Sequence, residues 1–129
     1  MGLSHICTLL SARENPEAIQ AMTEELRCGW IWLPMSGASL EVLKAVELDE
    51  MLSKFAASVA DSTTPRIYLH CSAGIHRTGF FASVILRLSS EPDVKGALGA
   101  LRPVTADQIG EDRFALAISR ADRFLEESR

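Results

Sequence analysis

One short segment between two predicted elements constrains this chain more than any other feature. The residues HCSAGIHRTG, from His70 to Gly79, follow the apolar run 67–69, which is typical of a buried strand. The residues behind them, 77–86, have the pattern of a packed helix. A loop that enters a helix N-terminus presents free backbone N–H groups and the positive end of the helix dipole, and both attract anions. The sequence therefore predicts a strand–loop–helix unit that binds an anion.

Side chains in this loop suit a phosphoryl group. The helix N-terminus and a nearby arginine are expected to lower the pKa of the Cys71 thiol into the range of roughly 3.5–7.5. Arg77 offers a planar guanidinium that binds two oxygens of one phosphoryl group. Gly74 and Gly79 permit close backbone approach and unusual dihedral angles, and the Thr78 hydroxyl can hydrogen-bond the sulfur and improve it as a leaving group. Covalent phosphoryl transfer to sulfur needs these parts.

The loop resembles the signature H-C-x-x-G-x-x-R-[ST]-G of the cysteine-dependent protein phosphatases, which include the tyrosine and dual-specificity phosphatases. Every defined position matches, at His70, Cys71, Gly74, Arg77, Thr78 and Gly79. By this resemblance Cys71 is the nucleophile, Thr78 assists the second step, and His70 orients the loop without acting as a base. The resemblance also implies a phosphate site made by the Arg77 side chain and by the backbone of Ser72, Ala73, Gly74, Ile75, His76 and Arg77. The alternative is a buried cysteine in a β–α turn with an incidental arginine.

Strands alternate with helices along the chain, which predicts an α/β fold with a largely parallel central sheet flanked by helices. Strands are expected over 3–10, 30–33 and 67–69. Helices are expected from an Asn15 cap to a stop at Gly29, from 40 to about 60, over 77–89, from Pro92 to about 101, and over 106–127. The first helix is expected to place Ala18, Ile19, Met22 and Leu26 on one face. The resemblance implies a small dual-specificity-phosphatase-like domain, either reduced to fewer edge strands or without its N-terminal part.

Length and composition set wider limits. The 129 residues predict one domain over 1–129, and the resemblance implies that it is a phosphatase domain. A net charge of −4 favours neither nucleic acid nor an anionic membrane as a partner, and no apolar run approaches the ~20 residues that span a bilayer. Three widely spaced cysteines argue against a disulfide framework and for a reducing, cytoplasmic location. Cys7 and Cys28 are interpreted as small core residues.

The general acid is the least defined part of the predicted site. In the phosphatase family an aspartate protonates the departing oxygen, and the matching segment 32–38 contains none. Ser36 stands at the aligned position, and a hydroxyl is too weak an acid. Glu41 and Asp107 are the candidates, although Glu41 is also explained as a partner of a helix dipole. Three outcomes stay open: one of these carboxylates is the acid, the reaction proceeds slowly without one, or the domain mainly binds phosphate.

A second segment bears on the hydrolysis step. The residues 105–108, Thr-Ala-Asp-Gln, are similar to the glutamine-bearing loop of tyrosine phosphatases, in which the glutamine positions the attacking water. By that resemblance Gln108 is a catalytic residue. The pair Thr105 and Gln108 also has the spacing of a capping box for the last helix, and both interpretations stay open.

The sequence thus favours a phosphatase that hydrolyses phosphomonoesters through a phosphocysteine intermediate. The expected substrates are phosphotyrosine in proteins, with phosphoserine and phosphothreonine in addition, or small phosphomonoesters. No metal and no cofactor is expected, and the sequence does not indicate an oligomeric state. The alternative is a catalytically impaired phosphate-binding or scaffold domain, and a remoter one is sulfur or arsenate chemistry on the same thiolate.

Overall fold

The computed structural model describes residues 2–35, 45–72 and 76–127, without the side chains of residues 45 and 46. Its strands are β1 (His5–Thr8), β2 (Gly29–Trp32) and β3 (Ile67–His70). Its helices are α1 (Glu17–Leu26), α2 (Ala45–Val59), α3 (His76–Leu88), α4 (Val94–Leu101), α5 (Pro103–Gln108) and α6 (Glu111–Glu127), and a 3₁₀ helix, Ala12–Glu14, precedes α1. The expected helix start at residue 40 lies outside the described residues.

The three strands form one sheet in the order β2-β1-β3, and both strand pairs are parallel. In this register Thr8 on the central strand lies opposite Trp32 on one side and His70 on the other. Helix α1 connects β1 to β2 and packs against both. The predicted α/β class, with a parallel sheet flanked by helices, is therefore confirmed.

The chain divides into two compact units. The first contains the described residues 2–35 and 45–72, and with them the sheet, α1 and α2. The second contains the described residues 76–127, which are helices α3 to α6. The expected single domain over 1–129 stays a prediction. None of the described helices has the length and apolar character needed to cross a membrane.

Strand β1 contributes most to the core of the first unit. Ile6, Cys7, Thr8 and Leu9 on and beside it are at most 1% exposed. Strand β3 lies at an edge of the described sheet, and its Tyr68 is 50% exposed. The expectation of a buried strand at 67–69 is wrong, because burial depends on which strand occupies the middle of the sheet.

Helix α1 differs from the expected helix at both ends. Asn15 does not cap it; this residue ends the 3₁₀ helix at φ 56° and Pro16 takes the cap position. Gly29 does not stop it either, because Arg27 already leaves the helix at φ 55° and Gly29 begins β2. The predicted apolar face is not the part of α1 that is buried. Thr23 is the buried residue of α1, whereas two members of the expected face, Met22 and Leu26, are exposed.

In the second unit, α3 packs along α6. The core of this unit contains five fully buried apolar residues of the two helices: Phe80, Phe81, Val84, Ala117 and Ala121. At the surface, Nε of Arg87 on α3 lies 2.8 Å from Oδ1 of Asp122 on α6. The ion pair raises the pKa of Arg87.

The segments after α3 also differ from expectation. Helix α4 begins after Asp93, whose carboxylate accepts a hydrogen bond from the backbone N–H of Gly96 at 3.1 Å. The expected final helix over 106–127 is two helices, because Pro103 begins α5 and Gly110, at φ 87°, separates it from α6. Proline suits a first helical position, and a positive φ ends a helix.

Candidate functional site

The signature residues fall on the elements that the sequence predicts. Cys71 and Ser72 directly follow β3, and His76, Arg77 and Thr78 form the start of α3. The intervening Ala73, Gly74 and Ile75 lie outside the described residues, so their predicted phosphate contacts stay predictions. The expected strand before the loop and the expected helix behind it are both present.

Cys71 stands at the carboxyl end of a parallel strand, the edge at which open α/β sheets place their ligands. The residue is 8% exposed. All three cysteines are free thiols, and their surroundings differ. Cys7 on β1 is fully buried, and burial raises the pKa of its thiol to about 12, against a smaller lowering by the charge of Lys54. Cys28 is only partly buried, so the interpretation as a core residue holds for Cys7 alone.

His70, the last residue of β3, is hydrogen-bonded to the central strand. Its Nε2 lies 2.8 Å from Oγ1 of Thr8, and the same Oγ1 accepts a hydrogen bond from Nε1 of Trp30 at 2.9 Å. Burial lowers the pKa of His70, and a hydrogen bond to the backbone of Cys71 opposes this in part. The ring also stacks on Tyr68 with 5.7 Å between centroids. The hydrogen bonds connect His70, the residue before Cys71, to the central strand β1.

In the second unit, side-chain exposure decreases along the first turn of α3. His76 is exposed and Arg77 is half-buried, whereas Thr78 is 9% exposed. Gly79 lies inside α3 without a positive φ, so the unusual dihedral angle expected for it is wrong. Its close approach is to α5 instead, because a Cβ atom at residue 79 would lie 2.9 Å from Cγ2 of Thr105.

Helix α5 holds two of the candidate catalytic residues. Asp107 and Gln108 are both exposed near its end, and Thr105 is buried inside it at 1% exposure. A capping box needs its threonine before the first helical residue, so the capping interpretation of Thr105 and Gln108 is wrong. The catalytic roles of Asp107 and Gln108 stay predictions, and Glu41 lies outside the described residues.

Sequence reasoning did not single out Thr8 or Trp30. The available signal was weak: Thr8 is the polar residue before the leucines of an otherwise apolar run, ICTLL. A buried hydroxyl in a central strand needs a hydrogen-bonding partner. Which residue supplies that partner follows only from the pairing of β1 with β2 and β3.

Comparisons of the chain with models of known families, with curated proteins and with solved structures find no match. The phosphatase family that residues 70–79 resemble therefore stays a prediction.

Proposed function

We propose that this protein is a cysteine-dependent phosphatase that hydrolyses phosphomonoesters, with phosphotyrosine in proteins as its first substrate class. The observation that supports this most is the placement of the signature residues. Cys71 follows the carboxyl end of a parallel strand, and Arg77 and Thr78 begin a helix of 13 residues, α3. A thiolate at a strand end and a guanidinium at a helix start are the groups that a phosphoryl transfer to sulfur uses.

The reaction has two steps. In the first, the Cys71 sulfur attacks phosphorus, an S–P bond forms, and the P–O bond to the substrate breaks as the oxygen departs, either with a proton from a general acid or without one. In the second, a water oxygen attacks the phosphocysteine, the S–P bond breaks, and inorganic phosphate leaves while the thiolate is restored. Arg77 binds two phosphoryl oxygens in both steps, and Thr78 stabilises the departing sulfur in the second.

The donor of the first proton is Asp107 or Glu41, or else the departing oxygen leaves without one. A general acid typically contributes ~10²–10⁴-fold. A reaction without one would be confined to leaving groups of low pKa, such as aryl oxygens. The proposed setting is the reducing cytoplasm, where a reactive thiol stays free.

The test uses the reduced full chain and a chromogenic aryl phosphate. Cys71→Ser and Arg77→Ala are expected to abolish turnover, and Cys28→Ser, which removes a partly exposed thiol outside the signature, serves as the matched control and is expected to retain it. Rapid quench with labelled substrate is expected to trap a phosphocysteine at residue 71. Tight vanadate binding without turnover would instead support the phosphate-binding domain. Turnover that survives Cys71→Ser would refute the proposal.

A further inference from the structure

The side chains of Trp30, Thr8 and His70 form a hydrogen-bonded row across the three strands. Nε1 of Trp30 on β2 lies 2.9 Å from Oγ1 of Thr8 on β1, and Nε2 of His70 on β3 lies 2.8 Å from the same oxygen. The hydroxyl at the centre of this row is fully buried. Because water does not reach it, its hydrogen bonds must be made within the protein.

The donors and acceptors in this row determine where its protons lie. An indole nitrogen can only donate, so Thr8 accepts from Trp30. The Thr8 hydroxyl has one hydrogen to donate, and among the described residues His70 is its only further partner. The hydroxyl hydrogen therefore points to Nε2 of His70, and this nitrogen accepts it with its lone pair. An uncharged His70 then carries its own hydrogen on Nδ1.

The other side of the ring agrees with this assignment. The hydrogen bond between His70 and the backbone of Cys71 stabilises the protonated ring, which means that the backbone partner is an acceptor, the carbonyl oxygen. With Nε2 directed to Thr8, Nδ1–H is the donor to that carbonyl. The opposite tautomer would leave the buried Thr8 hydrogen without an acceptor and would turn a lone pair toward the Cys71 carbonyl, and both changes are unfavourable.

We propose that Thr8, itself held by Trp30, locks His70 in the Nδ1–H tautomer and thereby fixes the Cys71 carbonyl, which makes Thr8 a positioning residue for the nucleophile. The tautomer lock follows from the two hydrogen bonds of Thr8, whereas its importance for the reaction rests on the proposed function. The lock acts against the preference of a free neutral imidazole of histidine, which favours the Nε2–H form.

The experiment reads the tautomer directly by long-range ¹⁵N–¹H correlation spectra of the full chain labelled in histidine, above the pH at which His70 is protonated. The His70 signals are assigned by their disappearance in His70→Gln. Wild type and Thr8→Ser, which keeps the hydroxyl, are expected to show Nδ1–H. Thr8→Val, which has nearly the same shape and no hydroxyl, is expected to shift His70 toward Nε2–H. A wild-type ring in the Nε2–H form would overturn the inference, whatever the activity.

The second measurement concerns the nucleophile. If the proposed function holds, Thr8→Val is expected to lower kcat by roughly ten-fold with little change in KM, because substrate binding does not use Thr8. Thr8→Ser is expected to restore most of the rate. A Thr8→Val enzyme with unchanged kcat would overturn the positioning role. A wild type with no turnover, yet with Nδ1–H at His70, would refute the proposed function and leave the tautomer lock standing.

Discussion

Thr105 on α5 packs against Gly79 on α3 so closely that a Cβ atom at residue 79 would lie 2.9 Å from its Cγ2. Ile109 adds a second contact, at 3.1 Å from that position through Cδ1. The glycine that ends the signature therefore sits where two helices meet. Its measurable role is one of packing between α3 and α5.

Gly79→Ala is expected to destabilise the protein by about 1–2 kcal/mol. Forcing a methyl group into a packed interior typically costs about 1–3 kcal/mol, and the better helix propensity of alanine returns up to about 1 kcal/mol. Urea unfolding measures the change. Adding Thr105→Ser, which removes Cγ2, should recover part of the loss. Gly99→Ala in α4 is the matched control, because its Cβ would meet only Ala106 at an ordinary 3.7 Å; it is expected to leave stability unchanged or raise it.

Arg27→Gly is expected to stabilise the protein by about 1 kcal/mol. Arg27 ends α1 at φ 55°, where a residue with a Cβ atom is strained by about 1–2 kcal/mol. Glycine removes this strain, but part of the stabilisation is offset because glycine loses more conformational entropy on folding. Chemical denaturation compares it with Glu25→Gly inside the same helix, which should lose about 1 kcal/mol. Equal losses in the two variants would contradict the assigned backbone conformation.

Acid is expected to weaken the fold through His70. Burial lowers the pKa of this ring below its ordinary value of 6.5, so below pH 6.5 the unfolded chain binds more protons than the folded protein does. The free energy of unfolding therefore falls as pH decreases from 6.5 toward the lowered pKa. Urea titrations between about pH 7.5 and about pH 5 should show a shallower fall for His70→Gln than for wild type. Identical slopes would exclude this contribution.

Thiol reagents are expected not to label Cys7 in the native protein. Its thiol is fully buried with a pKa raised to about 12, so almost none is ionised near neutral pH. Mass spectrometry after brief alkylation should find label on Cys28 and Cys71 and none on Cys7 until urea unfolds the chain.

The same burial predicts that the free energy of unfolding falls above pH 9.0, the ordinary pKa of the thiol, by up to about 1.4 kcal/mol per pH unit. Cys7→Ala should remove that part of the slope.

The general acid can be found from two conservative variants. At most one of Glu41→Gln and Asp107→Asn is expected to lower the rate by about ten-fold or more, and it should steepen the dependence on leaving-group pKa. The reason is that the loss of a proton donor matters most for oxygens that leave poorly. A series of aryl phosphates measures this dependence. Unchanged rates in both variants would favour departure without a general acid, since neither carboxylate then gives the proton.

Local sequence patterns were sufficient to predict the main strands and helices. The apolar run 67–69 and the residues from Arg77 onward predicted β3 and α3, because both depend on short-range periodicity and composition. The alternation of strands with helices predicted a parallel sheet, because parallel strands need a long crossover connection. The signature residues could be placed at a strand end and a helix start for the same reason.

Tertiary structure alone decided what each element faces. Nothing in the sequence of β3 itself shows that this strand lies at the edge of the described sheet and leaves Tyr68 half exposed. The strand beside it is set by pairing between residues far apart in sequence, such as Thr8 and His70, which are 62 residues apart. Likewise, α5 buries Thr105 against Gly79 where the spacing of polar residues had suggested a cap. Periodicity records which residues share a face, whereas the partner of that face is chosen by packing between parts of the chain that are distant in sequence.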